Sequence, residues 1–235
     1  MNKIESEVLM SGKTTFRLEV PYKLIETGVK SESKPLIVYL HGYGQNIEQF
    51  EKICKPLLST KAYHLFIQGP YPIYDTSRKV NVSKWGRAWY LYDGNRGQFI
   101  KSLEITSEFI QSVIDRMLKI IHPERISILG YSMGGYQAGY FALTRWKHIN
   151  ELIVLNARVK TEVVHDNWEN LKHLNILALH GKNDESVKHE PQKSEIEKLK
   201  KADLNAKFKM IDASHKLNRQ YFDEIKDWQK KLGYN

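Results

Sequence analysis

The sequence predicts an α/β fold, a mostly parallel sheet of about eight strands with helices on both faces. Two observations carry this reading. Short, β-branched apolar runs alternate with longer amphipathic stretches along the chain. Most of those runs are continuously apolar, as a strand must be when both its faces are covered.

The start reads as an antiparallel pair, residues 4–10 and 14–24, around a Ser11-Gly12-Lys13 turn. There Phe16, Leu18 and Val20 alternate with Arg17 and Glu19. Six further strands are expected over residues 36–40, 63–68, 125–129, 151–155, 175–179 and 206–211. Helices are expected over residues 46–58 and 135–145. Another carries the stripe Ile110, Val113, Ile114, Met117, Leu118 and Ile121 and stops at His122-Pro123. A last stripe, Leu217, Tyr221, Ile225, Trp228 and Leu232, closes the chain. These elements fill residues 1–235 and leave no room for a second domain. Residues 69–97 break the rhythm. This stretch is a long loop rich in Trp and Tyr, the kind that carries function in a small α/β protein.

The formal charge is +9, but Lys and Arg are interleaved with acids, as in Glu195-Ile196-Glu197-Lys198-Leu199-Lys200-Lys201. That pattern reads as a solvated helix face, so no specific nucleic-acid partner is expected. Apolar runs fall well short of the roughly 20 residues needed to span a bilayer. The first ten residues have no apolar signal-peptide core, and the expectation is a cytoplasmic protein. The single cysteine, Cys54, allows no intrachain disulfide and reads as a small buried hydrophobe. No metal site is expected.

Gly130-Tyr131-Ser132-Met133-Gly134 matches G-x-S-x-G. It follows the strand at 125–129 and opens the helix at 135–145, the strand-to-helix turn that exposes a nucleophilic serine. The glycines remove side chains that would collide at so tight a turn. The helix N-terminus favours the negative charge that develops on attack.

A serine hydroxyl needs a base, and the base needs a carboxylate to orient it. In proteins with this turn the chain order is serine, acid, histidine. Asp184, in the loop leaving the strand at 175–179, fits the acid, with Glu185 and Asp166 as competitors. His215, between the strand at 206–211 and the last helix, fits the base. His41 and His180 end strands before a Gly and are expected to shape their loops. The oxyanion donors are expected to be the backbone N–H groups of Met133 and of Tyr43, the latter in the loop after the third strand.

Together, His41-Gly42-Tyr43-Gly44, Gly130-Tyr131-Ser132-Met133-Gly134-Gly135, His180-Gly181-Lys182-Asn183-Asp184 and Ser214-His215 resemble the phospholipase/carboxylesterase branch of the α/β hydrolases. That branch includes acyl-protein thioesterases and many small bacterial esterases. The resemblance runs from about Leu36 to the end and implies an α/β-hydrolase fold with no large cap domain. It also implies action on carboxylic esters with no cofactor. It assigns Ser132, Asp184 and His215 as a catalytic triad, with Tyr43 and Met133 as oxyanion donors. Gly86-Arg87-Ala88-Trp89-Tyr90 looks like a family segment lying over the substrate cleft. The sequence departs from the family in Asp212-Ala213-Ser214 before the histidine, Ser186-Val187-Lys188 after the acid, and Met133 where thioesterase members favour Gln. The triad is untouched by these differences.

The expected partner is a small ester. Trp85, Trp89, Tyr90 and Tyr92 are candidates to line its pocket, with Arg87 or Arg96 near the rim. Arg158 is a candidate to reach an acidic substrate. The competing readings are a thioesterase or deacetylase on the same triad, and a binding protein that keeps the fold without the chemistry.

Overall fold

A computed structural model describes residues 10–30, 33–164 and 168–234. Its first strand is β1 (Tyr22–Glu26), followed by β2 (Leu36–Leu40), helix α1 (Ile47–Cys54) and β3 (Tyr63–Ile67). Two very short strands, β4 (Tyr71–Pro72) and β5 (Arg87–Ala88), pair as an antiparallel ribbon inside the aromatic loop. Then come α2 (Arg96–Met117), β6 (Ile126–Tyr131), α3 (Met133–Thr144), β7 (Glu151–Leu155) and β8 (Asn175–Gly181). Helix α4 (His189–Lys201), β9 (Asn205–Ile211) and α5 (Arg219–Lys231) complete the order.

The main sheet has seven strands, in the order β1-β3-β2-β6-β7-β8-β9. β1 runs antiparallel to β3, and every other neighbour is parallel. Side-chain parity divides the core into two layers. Leu36, Val38 and Leu40 of β2 face the layer that holds Ile114 of α2, Phe141 of α3 and Ile196 of α4. Ile37 and Tyr39 face the other layer, with Phe50 of α1 and Ile225 of α5. β2 is buried along its whole length, which is why its sequence shows no alternation.

Three expectations need correction. Most of the first expected strand, residues 4–10, lies outside the described residues, and the second does not begin at residue 14. Residues 10–21 carry no strand, with Phe16 84% and Leu18 49% exposed. The cause is the partner. β3 ends at Ile67 opposite Tyr22, with one further bond from Gln68 N–H to the Pro21 carbonyl (3.1 Å). Beyond it the alternating segment pairs with no strand among the described residues. Second, the helix expected to run to His122-Pro123 ends at Met117, whose carbonyl takes the N–H groups of both Ile120 and Ile121. Third, the charged run in α4 is not wholly solvated. Glu195 is buried, because it shares a helix face with Gln192 and Leu199.

The other helices follow their signals. Asn46 caps α1 through a reciprocal pair with Gln49 (3.0 and 3.1 Å), and the helix tightens into a 3₁₀ turn at Lys55–Ser59, where Pro56 enters. Cys54 is fully buried, and burial pushes its thiol pKa up. Among the described residues no helix is long and apolar enough to cross a membrane.

Two buried histidines give the fold an acid limit. His64 lies between the Tyr39 hydroxyl (2.8 Å) and the Thr27 hydroxyl (3.0 Å), tying β3 to β2 and to the end of β1. Burial lowers the pKa of both His64 and His41 from 6.5 to about 4. The folded chain therefore refuses protons that the unfolded chain accepts between those values. Stability is full above about pH 6.5 and is lost as pH falls towards 4, with on the order of 3 kcal/mol at stake per histidine. Thermal unfolding should show Tm falling steeply across this window in wild type. His64→Gln should flatten that slope, and an unchanged slope would contradict the assignment.

Candidate active site

The site stands at the carboxyl ends of the parallel strands, where such sheets place their ligands. β6 delivers Ser132, whose N–H is held by the Leu155 carbonyl at the end of β7 (2.8 Å). Ser132 has φ 51° and ψ −119°, a conformation L-residues avoid. Its neighbours explain the glycines. A Cβ on Gly130 would sit 2.1 Å from the Gly134 carbonyl oxygen, and one on Gly134 would sit 2.3 Å from that of Leu40. The motif is thus a packing requirement of the turn.

Ser132 Oγ lies 2.9 Å from His215 Nε2, and His215 Nδ1 lies 2.7 Å from Asp184 Oδ2. A carboxylate can only accept, so Nδ1 carries the proton and Nε2 is left as the acceptor for the serine hydroxyl. Asp184 is itself fixed. Its Oδ1 accepts from the N–H groups of Ser186 and Val187 (2.9 Å each), a local turn that a short Asp or Asn side chain makes at its start. Its competitor Glu185 is exposed on the same loop, and Asp166 lies outside the described residues. His180 donates from Nε2 to the Val187 carbonyl (2.8 Å) and stands 3.4 Å from Asp184 Oδ2, so it shapes the acid's loop.

Sequence reasoning missed Asn156. It is fully buried at the end of β7, with φ 50°. Its Nδ2 donates to the His215 carbonyl (2.6 Å), while its Oδ1 accepts from Gly181 N–H (3.0 Å) and the Tyr221 hydroxyl (2.6 Å). The Tyr131 hydroxyl also donates to the His215 carbonyl (3.0 Å). One amide thus ties the end of β8 and helix α5 to the histidine loop, and Tyr131 joins the serine turn to the same carbonyl. The only sequence signal is a polar residue directly after a continuously apolar strand.

Residues 41–45 follow β2, the second strand among the described residues. His41 accepts the Gly69 N–H at Nε2 (3.0 Å) and donates from Nδ1 to the Gly42 carbonyl (2.8 Å), which keeps it neutral and holds the loop. The β4–β5 ribbon clamps the other side. Gly44 N–H donates to the Arg87 carbonyl and Arg87 N–H to the Gln45 carbonyl, both at 3.0 Å. Among the described residues neither the Tyr43 nor the Met133 N–H has a hydrogen-bond partner. Two free donors on facing loops suit a developing oxyanion.

The residues expected to touch substrate separate. Tyr90 lines a cavity of about 530 Å³, as do Tyr92, Arg96 and Arg158. Trp89 does not. It is fully buried, and its indole N–H donates to the His41 carbonyl (2.7 Å), so it braces the 41–45 loop from beneath. Arg87 is also turned inward, 7% exposed, and serves the loop through its backbone. Trp85 lies outside the cavity lining, edge-on to Tyr74 and bonded to the Val80 carbonyl (2.9 Å). Lys160, Phe99, Tyr136 and Glu162, which no motif marked, line the cavity instead.

Residues 22–232 match the Phospholipase/Carboxylesterase family. The chain belongs to this family. No curated protein matches it in a sequence comparison. Solved structures of similar fold include SOBER1 from Arabidopsis thaliana, 23% identical with a TM-score of 0.69, over 85% of this chain and 99% of that one. A carboxylesterase from Mesorhizobium loti is 18% identical with a TM-score of 0.71, over 90% and 94%. The Bacillus cereus carboxylesterase is 17% identical with a TM-score of 0.70, over the same shares. The sheet, seven-stranded and without a large cap among the described residues, is therefore the α/β-hydrolase architecture of the phospholipase/carboxylesterase family.

Proposed function

We propose that this family member is a serine hydrolase that cleaves a carboxylic ester of a small substrate through an acyl-enzyme. The observation that carries the reading is the continuous relay from Ser132 Oγ to His215 Nε2 (2.9 Å) and from His215 Nδ1 to Asp184 Oδ2 (2.7 Å). Ser132 Oγ attacks the ester carbonyl carbon while its proton passes to His215 Nε2. Asp184 stabilises the imidazolium so formed. The carbonyl oxygen becomes an oxyanion and takes the N–H groups of Tyr43 and Met133, each worth roughly 10²–10³ in rate. His215 then protonates the departing alcohol, leaving the acyl group on Ser132. Water repeats the sequence in reverse and releases the acid.

Intact-mass labelling with a fluorophosphonate tests the reading. A single adduct is expected on wild type and none on Ser132→Ala. A folded wild type that takes no adduct would overturn the assignment. A panel of matched esters, thioesters and acetylated sugars then defines the bond cleaved, and thioester turnover far above ester turnover would replace the ester reading.

A further inference from the structure

The cavity beside the site carries an unbalanced charge. Its walls are aromatic (Tyr90, Phe99, Tyr136), and among the described residues three cations, Arg96, Arg158 and Lys160, line it with a single acid, Glu162. One oxygen of Glu162 serves two of them, at 2.8 Å from Arg158 and 3.7 Å from Lys160. Arg158 also reaches Glu195 (3.4 Å), but that carboxylate is shared with Lys198 (2.9 Å) and the Thr161 hydroxyl. Arg96 has no ion pair among the described residues. Lys160 is held over the rings of Phe99 (4.8 Å) and Tyr136 (5.8 Å), which orient its ammonium without neutralising it. Its pKa is lowered first by burial and then by the Arg158 charge. Arg96 also opens α2, whose first turn holds no acid, so the helix end adds to the positive field.

Tyr136 connects the cavity wall to the turn that carries Ser132. Tyr136 lies one turn after Ser132 on α3, its N–H bonded to the Ser132 carbonyl (3.2 Å). Burial pushes its phenol pKa up, and the phenol feels both Arg158 and Asp184.

We propose that this cavity is a subsite for a carboxylate on the substrate, so that the preferred ester carries a negative charge joined to the scissile group through an apolar or aromatic spacer. The inference rests on the esterase reading above. Arg96 presents a planar fork and Lys160 a point charge to that carboxylate, Arg158 adds to the positive field, and the aromatic walls hold the spacer.

Two pairs of substrates, each differing by one charge, test it. On the acyl side, mono-(4-nitrophenyl) adipate is compared with its methyl ester. On the alcohol side, 4-carboxyphenyl butyrate is compared with 4-carbamoylphenyl butyrate. In at least one pair wild type should favour the charged member by about tenfold in kcat/KM, the scale of a hydrogen bond to a charged group. Added salt should shrink the ratio. Lys160→Met should bring it towards unity, and so should Arg96→Gln, an exposed position where folding is not at risk. No charge preference in either pair, or a preference unmoved in both variants, overturns the subsite. Fluorophosphonate labelling run alongside separates the failures. Label without charge preference removes the subsite alone, whereas absence of label removes the esterase reading as well.

Discussion

Ser132→Ala should lower kcat on an activated ester by on the order of 10⁶, the scale seen when a serine nucleophile is removed. The fold should survive. The serine Oγ has one hydrogen bond, to His215 Nε2, and alanine keeps the Cβ that the turn already accommodates. Circular dichroism and Tm near the wild-type values, beside the lost turnover, would locate the effect in the chemistry. A residual rate within a hundredfold of wild type would mean that another group attacks the ester.

Asp184→Asn should cost about 10⁴ in kcat with little change in shape. The direction follows from the hydrogen bonds. The N–H groups of Ser186 and Val187 both point at Oδ1, so the substituted amide must keep its oxygen there. Its NH₂ then faces His215 Nδ1, which has to accept. The imidazole proton moves to Nε2 and points at Ser132, whose own proton has nowhere to go. Steady-state kinetics checks this, and a near-normal rate would transfer the role of the acid to another carboxylate. Glu185 lies exposed on the same loop.

What the sequence disclosed depended on how local each signal is. The parallel strands were readable because β2, β6, β7 and most of β8 are buried on both faces and so are predominantly apolar. Ser132, Asp184 and His215 were readable because the chain order of strand ends is itself a constraint. Asn156 was not, since its partners Gly181, His215 and Tyr221 lie 25, 59 and 65 residues away. Alternation at Phe16, Leu18 and Val20 misled because alternation records one apolar face but not whether a partner strand reaches it. Trp89 and Tyr90 are adjacent aromatics. Composition cannot tell the buried brace from the cavity wall, because strand and loop geometry turns one inward and the other out. Lys160 sits in an irregular loop, where no periodicity assigns a side to anything.

The backbone at Ser132 has a consequence for anyone breeding a tougher version of this protein. Its φ of 51° and ψ of −119° are close to what the first central residue of a type II′ turn adopts, a position that belongs to glycine. Residues held in such regions cost about 1–3 kcal/mol. A library sorted for heat resistance alone would therefore reward Ser132→Gly, a change that abolishes turnover under the mechanism proposed above. Selection that never asks for turnover thus works against the proposed nucleophile, so each round of stabilisation has to be gated on catalysis.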